Sequence, residues 1–293
     1  MLKPNDKVAL ISPASQLPAA NRELIDKAIA LLESWGLRVE PMLTLENHFY
    51  LAGDDATRSR ALNTVLEDES IKAVFCSRGG YGCARIVGNL PAADSVSEKV
   101  FVGYSDISTL HLAFAANYPQ ISSIHGPNLI TAQFTDDSAE AEQNRQSLHR
   151  ALFSDESQTF NIEFLRNGTA SGRLIGGCLS MVASAAGTPN LPDLNGAILF
   201  LEDVGERPYK IDRMIQQLKN AGMLENLGGV VFGAMHDCSD PYNDLKAVIL
   251  DAIGDLNIPV AFGLASGHGP LNFSLRMHGN ATLDSTSGTL VVE

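Results

Sequence analysis

The chain has 293 residues, 45% of them apolar and 19% charged, which is ordinary globular material and enough for one large domain or two smaller ones. With 34 acidic against 21 basic residues the formal net charge is -13, and no run of lysine and arginine interrupts it, which argues against a nucleic-acid partner. The apolar stretches, such as "GAILFL" and "GGVVFGAM", fall short of the ~18 residues a membrane span needs, so no membrane partner is expected.

The first residues, "MLKPNDKVALISPAS", go straight into a strand-like run without the basic, apolar and small-residue regions of a signal peptide. Cys76, Cys83, Cys178 and Cys238 show no CxxC spacing, so they read as reduced thiols and neither as a zinc site nor as a disulfide frame. The expectation is a cytoplasmic protein without metal or cofactor.

The first half then alternates short apolar runs with longer periodic ones. "KVALISPA" precedes "NRELIDKAIALLESWG", "LRVEPM" precedes "TRSRALNTVLED", "IKAVFCS" precedes "GCARIVGNL", and "VFVGYS" precedes "ISTLHLAFAANY". This is the pattern of a parallel sheet with crossover helices. Leu24, Ile25, Ala28, Ile29, Leu32 and Trp35 form a stripe of helical period, which places the single tryptophan in the core.

After "SSIHGPN" comes an acidic, polar stretch with one helix near 139–152, read as an interdomain connection. The second half opens on the strand-like "FNIEFLRNGTASGRLIGG". It continues with "GAILFLEDVG", a helix at "PYKIDRMIQQLKNAGML", "LGGVVFGAM", a helix near 243–255 and a β-rich end. The division expected is an N-terminal α/β domain over 1–135, a connecting segment over 136–170 and a C-terminal domain over 171–293.

The chemistry centres on "KVFVGYSDISTL", where Ser105 stands at the joint between a strand and a helix. At a sharp strand-to-helix turn a serine hydroxyl is lifted above the sheet and the following N–H groups point into the site. "GYSDI" carries only half of GxSxG, because Ile107 replaces the second glycine, and serine is also a favoured helix cap. A base is offered by His268 in the glycine-flanked "GLASGHGPLNFS". His111 and His149 fall inside predicted helices, His125 is undecided, and His236 sits in a solvated turn without ligand spacing. Glu202 ends the apolar run "AILFL", where a carboxylate needs a partner: either a histidine or a strand-end ion pair.

A second glycine-rich loop, "CSRGGYGCARIV", lets the backbone approach a ligand through Gly79, Gly80 and Gly82. It lacks the third glycine and the acidic residue of a dinucleotide fingerprint, and the chain has no GxxxxGK[ST]. The reading preferred is an oxyanion hole, with one backbone donor from Gly79 or Gly80 and one from Asp106.

The blocks "SRGGYG", "GYSDIS", "GGCLSMVASAAGTP", "LFLEDVGERPYKIDRMIQQL" and "GLASGHG", in this order and spread over nearly the whole chain, resemble the L,D-carboxypeptidase family of serine peptidases, which includes the microcin C self-immunity peptidases. The resemblance implies an α/β fold: an N-terminal Rossmann-like parallel-sheet domain, a C-terminal β-rich α+β domain, an active site between them and a homodimer. It implies a triad of Ser105, His268 and Glu202, and release of the terminal D-alanine from murein tetrapeptides in peptidoglycan recycling. The immunity relatives cleave a peptidyl nucleotide and carry an aromatic side chain over the base, whereas the one tryptophan here is Trp35. A non-catalytic anion-binding protein, in which Ser105 only caps a helix, is the alternative of another class. The cation for a substrate's terminal carboxylate is left open among Arg78, Arg85 and Arg207.

Overall fold

The computed structural model describes residues 1–17 and 22–293, so Asn21, at the start of the predicted first helix, lies outside the described residues. The alternation seen in the first half resolves into strands β1 (Lys7–Ile11), β2 (Arg38–Met42), β3 (Ile71–Cys76), β4 (Lys99–Gly103) and β5 (Ile121–His125). Between them run helices α1 (Arg22–Ser34), α2 (Asp55–Glu67), α3 (Cys83–Ile86) and α4 (Ser108–Asn117). The five strands are parallel and ordered β5-β4-β3-β1-β2.

Successive residues of a strand face opposite sides, so a strand covered on both faces reads as a continuous apolar run. In β1, Ala9 and Ile11 pack with Leu62, Val65, Leu110 and Phe114 of α2 and α4, while Val8 and Leu10 pack with Ala28 and Leu32 of α1 on the other face. That second face is also covered by Phe134 of α5 (Ala132–Thr135) and by Leu148 and Leu152 of α6 (Ala139–Phe153). Trp35 is half-buried at the edge of this cluster, where it meets Phe134, His149 and Phe153 edge-on.

The second half forms an eight-stranded mixed sheet. Its centre is the parallel set β8 (Thr169–Cys178), β9 (Ile198–Val204), β10 (Gly229–His236) and β11 (Val260–Gly267). Helices α7 (Leu179–Ala185), α8 (Pro208–Asn220) and α9 (Leu245–Ala252) cover one face through Val182, Ile211, Ile215, Leu218 and Ile249. Ile211, Ile215 and Leu218 recur at helical spacing behind Pro208, whose fixed φ suits the first helical position. Strands β13 (Asn280–Asp284) and β14 (Thr289–Val292) extend the sheet antiparallel and bury Ala281, Leu283, Leu290 and Val292 against Phe200 and Val231 on the other face.

The halves interlock. The two-residue strand β12 (Leu275–Arg276), late in the chain, pairs antiparallel with β5 and so completes the first sheet as its sixth strand. Helix α4 is buried from Ser108 to Phe114, and Leu112 joins the core of the second half. The segment 136–170, expected as a connection, is divided between the halves. Its helix α6 covers the first sheet, whereas β6 (Gln158–Asn161) and β7 (Glu163–Arg166) are the edge strands of the second.

Helix α6 also holds the loop that follows β11. Asn144, fully buried, accepts from Asn272 N at 2.7 Å and donates to the carbonyls of Pro270 at 3.0 Å and Gln133 at 3.1 Å. Gln133 donates to the Gly267 carbonyl at 2.9 Å, and Asn272 accepts from Gly267 N at 2.8 Å. A buried network of this kind is costly to break, because each group left unpaired forfeits about 1–3 kcal/mol. Asn144→Ala is expected to lower the urea midpoint by an amount equivalent to about 2 kcal/mol at an unchanged m-value. An unshifted midpoint would show that the loop is held by other contacts.

Candidate active site

At the end of β4 the chain turns sharply. Tyr104 is extended at φ -152° and Ser105 is left-handed at φ 67°, after which one 3₁₀ turn (105–107) leads into α4. Left-handed backbone is uncommon outside glycine and costs on the order of 1 kcal/mol or more, so such a residue is held there by its surroundings. The cap position of the turn falls on Tyr104, and no side chain caps it. Ser105 Oγ lies instead 3.0 Å from His268 Nε2.

The glycine loop after β3 makes this turn possible. A Cβ on Gly79 would stand 2.7 Å from Ser105 Cβ and 3.0 Å from its Oγ, closer than any side chain tolerates. Gly80 is left-handed at φ 97°. The Gly79 carbonyl accepts from Ser15 N at 3.2 Å, which fixes the loop against the end of β1. The neighbouring Asp106 uses its side chain structurally: buried, it accepts from Cys83 N at 2.8 Å and so ties the serine turn to the start of α3. Burial pushes its carboxyl up from the ordinary range.

Glu202 lies in β9 with no exposed surface, and Phe200 two residues earlier points to the same side of the sheet. Its Oε2 accepts from His268 Nδ1 at 2.7 Å and from His268 N at 3.1 Å. Gly267 allows the approach, since a Cβ there would lie 2.8 Å from the Glu202 carboxyl carbon. Burial pushes the Glu202 carboxyl up, but the imidazoles of His125 and His268 more than offset it and hold it at about 2. For His268, burial lowers the imidazole pKa, and the Glu202 hydrogen bond and charge outweigh that, leaving it raised. The strand-end ion pair considered for Glu202 is thus a pair with histidine.

Ser105, His268 and Glu202 come from three separate strand ends, and the structure brings them into one hydrogen-bonded line. Such a line can pass a proton from the hydroxyl to the imidazole while the carboxylate fixes the tautomer. Tyr104, with its ring centroid 4.9 Å from that of His268, packs beside the imidazole, and burial pushes its phenol up.

The other sequence candidates fall elsewhere. His111 is buried with Nε2 on the Gly103 carbonyl at 2.9 Å, and burial brings it down to about 3. His149 stacks on Phe153, and His236 is exposed at the end of β10. Arg85 is engaged by the Asp55 carboxylate through Nε and Nη2. Arg207 is exposed, and Arg78, half-buried beside Gly79, donates to the Gln16 carbonyl at 3.3 Å.

His125, left undecided by the sequence, proves to be fully buried, with Nε2 3.6 Å from Glu202 Oε1. The polar support of the His268 loop by Gln133, Asn144 and Asn272 carried no periodic or motif signal. All four cysteines are buried free thiols. Among the described residues no group of three or more His, Cys, Asp or Glu is placed to hold a metal ion, and no helix is long and apolar enough to cross a membrane.

The fold is shared with known proteins. Residues 8–126 match the LD-carboxypeptidase N-terminal domain and residues 171–283 the LD-carboxypeptidase C-terminal domain. A Bacillus subtilis protein named probable murein peptide carboxypeptidase is 34% identical over 100% of this chain and 93% of its own. The crystal structure of a muramoyltetrapeptide carboxypeptidase from Oxalobacter formigenes, 30% identical, aligns with a TM-score of 0.85 over 98% of this chain and 97% of that one. The wild-type apo structure of the microcin C7 self-immunity protein MccF shares the fold at a TM-score of 0.89 and 20% identity, over 99% of this chain and 96% of that one. The chain belongs to the LD-carboxypeptidase family, peptidase family S66.

Proposed function

We propose that the protein is a serine-type L,D-carboxypeptidase that releases the terminal D-alanine of murein tetrapeptides, with Ser105 as nucleophile. The observation that carries this reading is the continuous line from Ser105 Oγ to His268 at 3.0 Å and from His268 to Glu202 at 2.7 Å. Ser105 Oγ attacks the carbonyl on the L side of the scissile bond, and His268 Nε2 takes its proton. The tetrahedral adduct collapses as His268 returns that proton to the leaving D-amino acid. Water then attacks the acyl-enzyme by the same route, with Glu202 stabilising the imidazolium in both halves. The Asp106 N–H and that of Gly79 or Gly80 hold the oxyanion, a role worth ~10²-fold or more in rate per donor.

A carboxypeptidase must also receive a terminal carboxylate. Of the arginines considered, Arg85 is engaged by Asp55, while Arg78, which adjoins Gly79, makes one guanidinium hydrogen bond among the described residues, to the Gln16 carbonyl. Arg78 is therefore the residue assigned to that carboxylate. Action as a homodimer in the cytoplasm belongs to the same reading. Against the peptidyl-nucleotide alternative, Trp35 is occupied by packing on Phe134, His149 and Phe153.

The direct test is D-alanine release from a defined murein tetrapeptide, set beside cleavage of an acyl-sulfamoyl adenylate. The expected outcome is turnover of the first. Preference for the second would replace this reading by the immunity type. Ser105→Ala should fold normally and lose turnover by a factor on the order of 10⁶, as when one member of a triad is removed. A folded variant that retains hydrolysis would exclude a serine mechanism.

The pH profile supplies a second check. His268 acts as a base only when neutral, and its pKa is raised in the folded enzyme. The acid limb of kcat/KM should therefore lie above the ordinary imidazole value of about 6.5, with activity falling as the pH drops through it. In Glu202→Gln burial remains while the facing charge is lost, so the limb of the residual activity should move to lower pH. A limb unmoved by that change would detach Glu202 from the base.

A further inference from the structure

Glu202 has two carboxylate oxygens, and the line to Ser105 uses one of them. Oε1 makes no hydrogen bond among the described residues and is shut off from solvent, and the same is true of His125 Nε2. These unpartnered polar atoms face each other at 3.6 Å, with both side chains fully buried. Orphaned groups of this kind are rare in folded interiors, because a buried polar atom left unmet loses its bonds to water without replacing them. Closing the gap by about 0.7 Å would give an ordinary N–H···O bond and satisfy both at once.

The imidazole is set up for this contact. Ser266 Oγ lies 3.3 Å from His125 Nδ1, so the hydroxyl can donate there and leave the ring proton on Nε2, the nitrogen that faces the carboxylate. The opposite tautomer would turn a lone pair toward an anion. The Tyr104 and Phe200 rings pack edge-on to His125, with centroids at 5.9 and 4.9 Å, and restrict rotation of its plane. His125 is the last residue of β5 and stands in register with Gly103 of β4, two positions before Ser105.

We propose that His125 is a positioning residue of the reaction, its Nε2–H holding Oε1 of Glu202 so that Oε2 stays aimed at His268. The chain of contacts would then run from Ser266 through His125, Glu202 and His268 to Ser105. This inference rests on the triad reading above and extends it by a residue that touches neither substrate nor the reacting atoms.

The test compares three variants with Glu202→Gln as control. His125→Phe keeps a ring between Tyr104 and Phe200 but removes the donor. It should lower kcat on the order of 10- to 100-fold, the range seen when outer partners that orient metal ligands are lost. KM should stay nearly constant, because ground-state binding is not touched. A downfield proton resonance of His268 Nδ1–H, expected by NMR in the wild type, should weaken or shift in this variant. His125→Gln, whose amide can reach the same oxygen, should recover most of the loss. Ser266→Ala, the mildest change, should cost a few-fold in kcat with the fold intact, and it carries the test if His125→Phe does not fold. Wild-type kcat and resonance in a folded His125→Phe or in Ser266→Ala, with Glu202→Gln strongly impaired, would overturn the role of His125 alone. Full activity in Glu202→Gln would overturn the triad itself.

Discussion

The arrangement depends on a carboxylate buried where water cannot reach it. An ionised carboxyl removed from solvent is costly unless charged or polar partners surround it, and breaking such a set is far more damaging than never having built it. Glu202 meets this demand at one oxygen with His268, which follows β11, at 2.7 Å, while its other oxygen faces His125, from the end of β5 in the other half, at 3.6 Å. A shift of the first sheet relative to the second would carry His125 away from Glu202, whereas the Glu202–His268 pair lies within the second half. A single buried anion thus faces a histidine from each half and hydrogen-bonds the imidazole that faces Ser105.

Close approach is the second constraint, and missing side chains satisfy it. Gly79 admits the Ser105 turn and Gly267 admits the Glu202 carboxyl. At Gly177, left-handed at φ 144°, a Cβ would strike Ser108, whose hydroxyl accepts from Cys178 N at 3.0 Å. These glycines come from the loop after β3, from β11 and from β8, and each removes a clash at a different wall of the same junction. The left-handed Ser105 is the strained element they enclose. Strain held in this way keeps the hydroxyl pointed at His268, where a relaxed backbone would let it swing toward a cap.

Much of this was legible in the sequence, for reasons that differ by element. The parallel sheet showed itself because strands buried on both faces must be apolar throughout, as in "KVALI" and "AVFC", and because the stripe of α1 repeats with helical period. Ser105, Glu202 and His268 stood out through local contrast: a serine between glycine and a helix, a carboxylate in an apolar run, a histidine flanked by glycines. His125 offers no such contrast. In "SSIHGPN" it is one polar residue among several, and its meaning comes entirely from Glu202, 77 positions later in the sequence. Strand β12 was hidden likewise, because two residues carry no period and their partner β5 lies in the other half. The same holds for Asn144, whose polar side chain on a surface-like helix is buried only because the loop after β11 folds back onto it. Long-range polar pairing leaves no periodic trace.

The placement of the site follows from chain direction. In parallel sheets the loops after the carboxyl ends of the strands collect on one side, and binding sites form there. Here the glycine loop follows β3, Ser105 follows β4, His125 ends β5, Glu202 lies toward the end of β9 and His268 follows β11. The first sheet thus brings Ser105 and its glycine loop, and the second brings Glu202 and His268. Neither half alone holds the whole hydrogen-bonded line. The crossing elements then have a chemical task as well as a structural one. Strand β12 docks the chain just past His268 onto β5, and α6, which covers the first sheet, grips the His268 loop through Asn144. His268, carried by one half, is thereby positioned by the framework of the other, and this couples the integrity of the interface directly to the geometry of the Ser105–His268 contact.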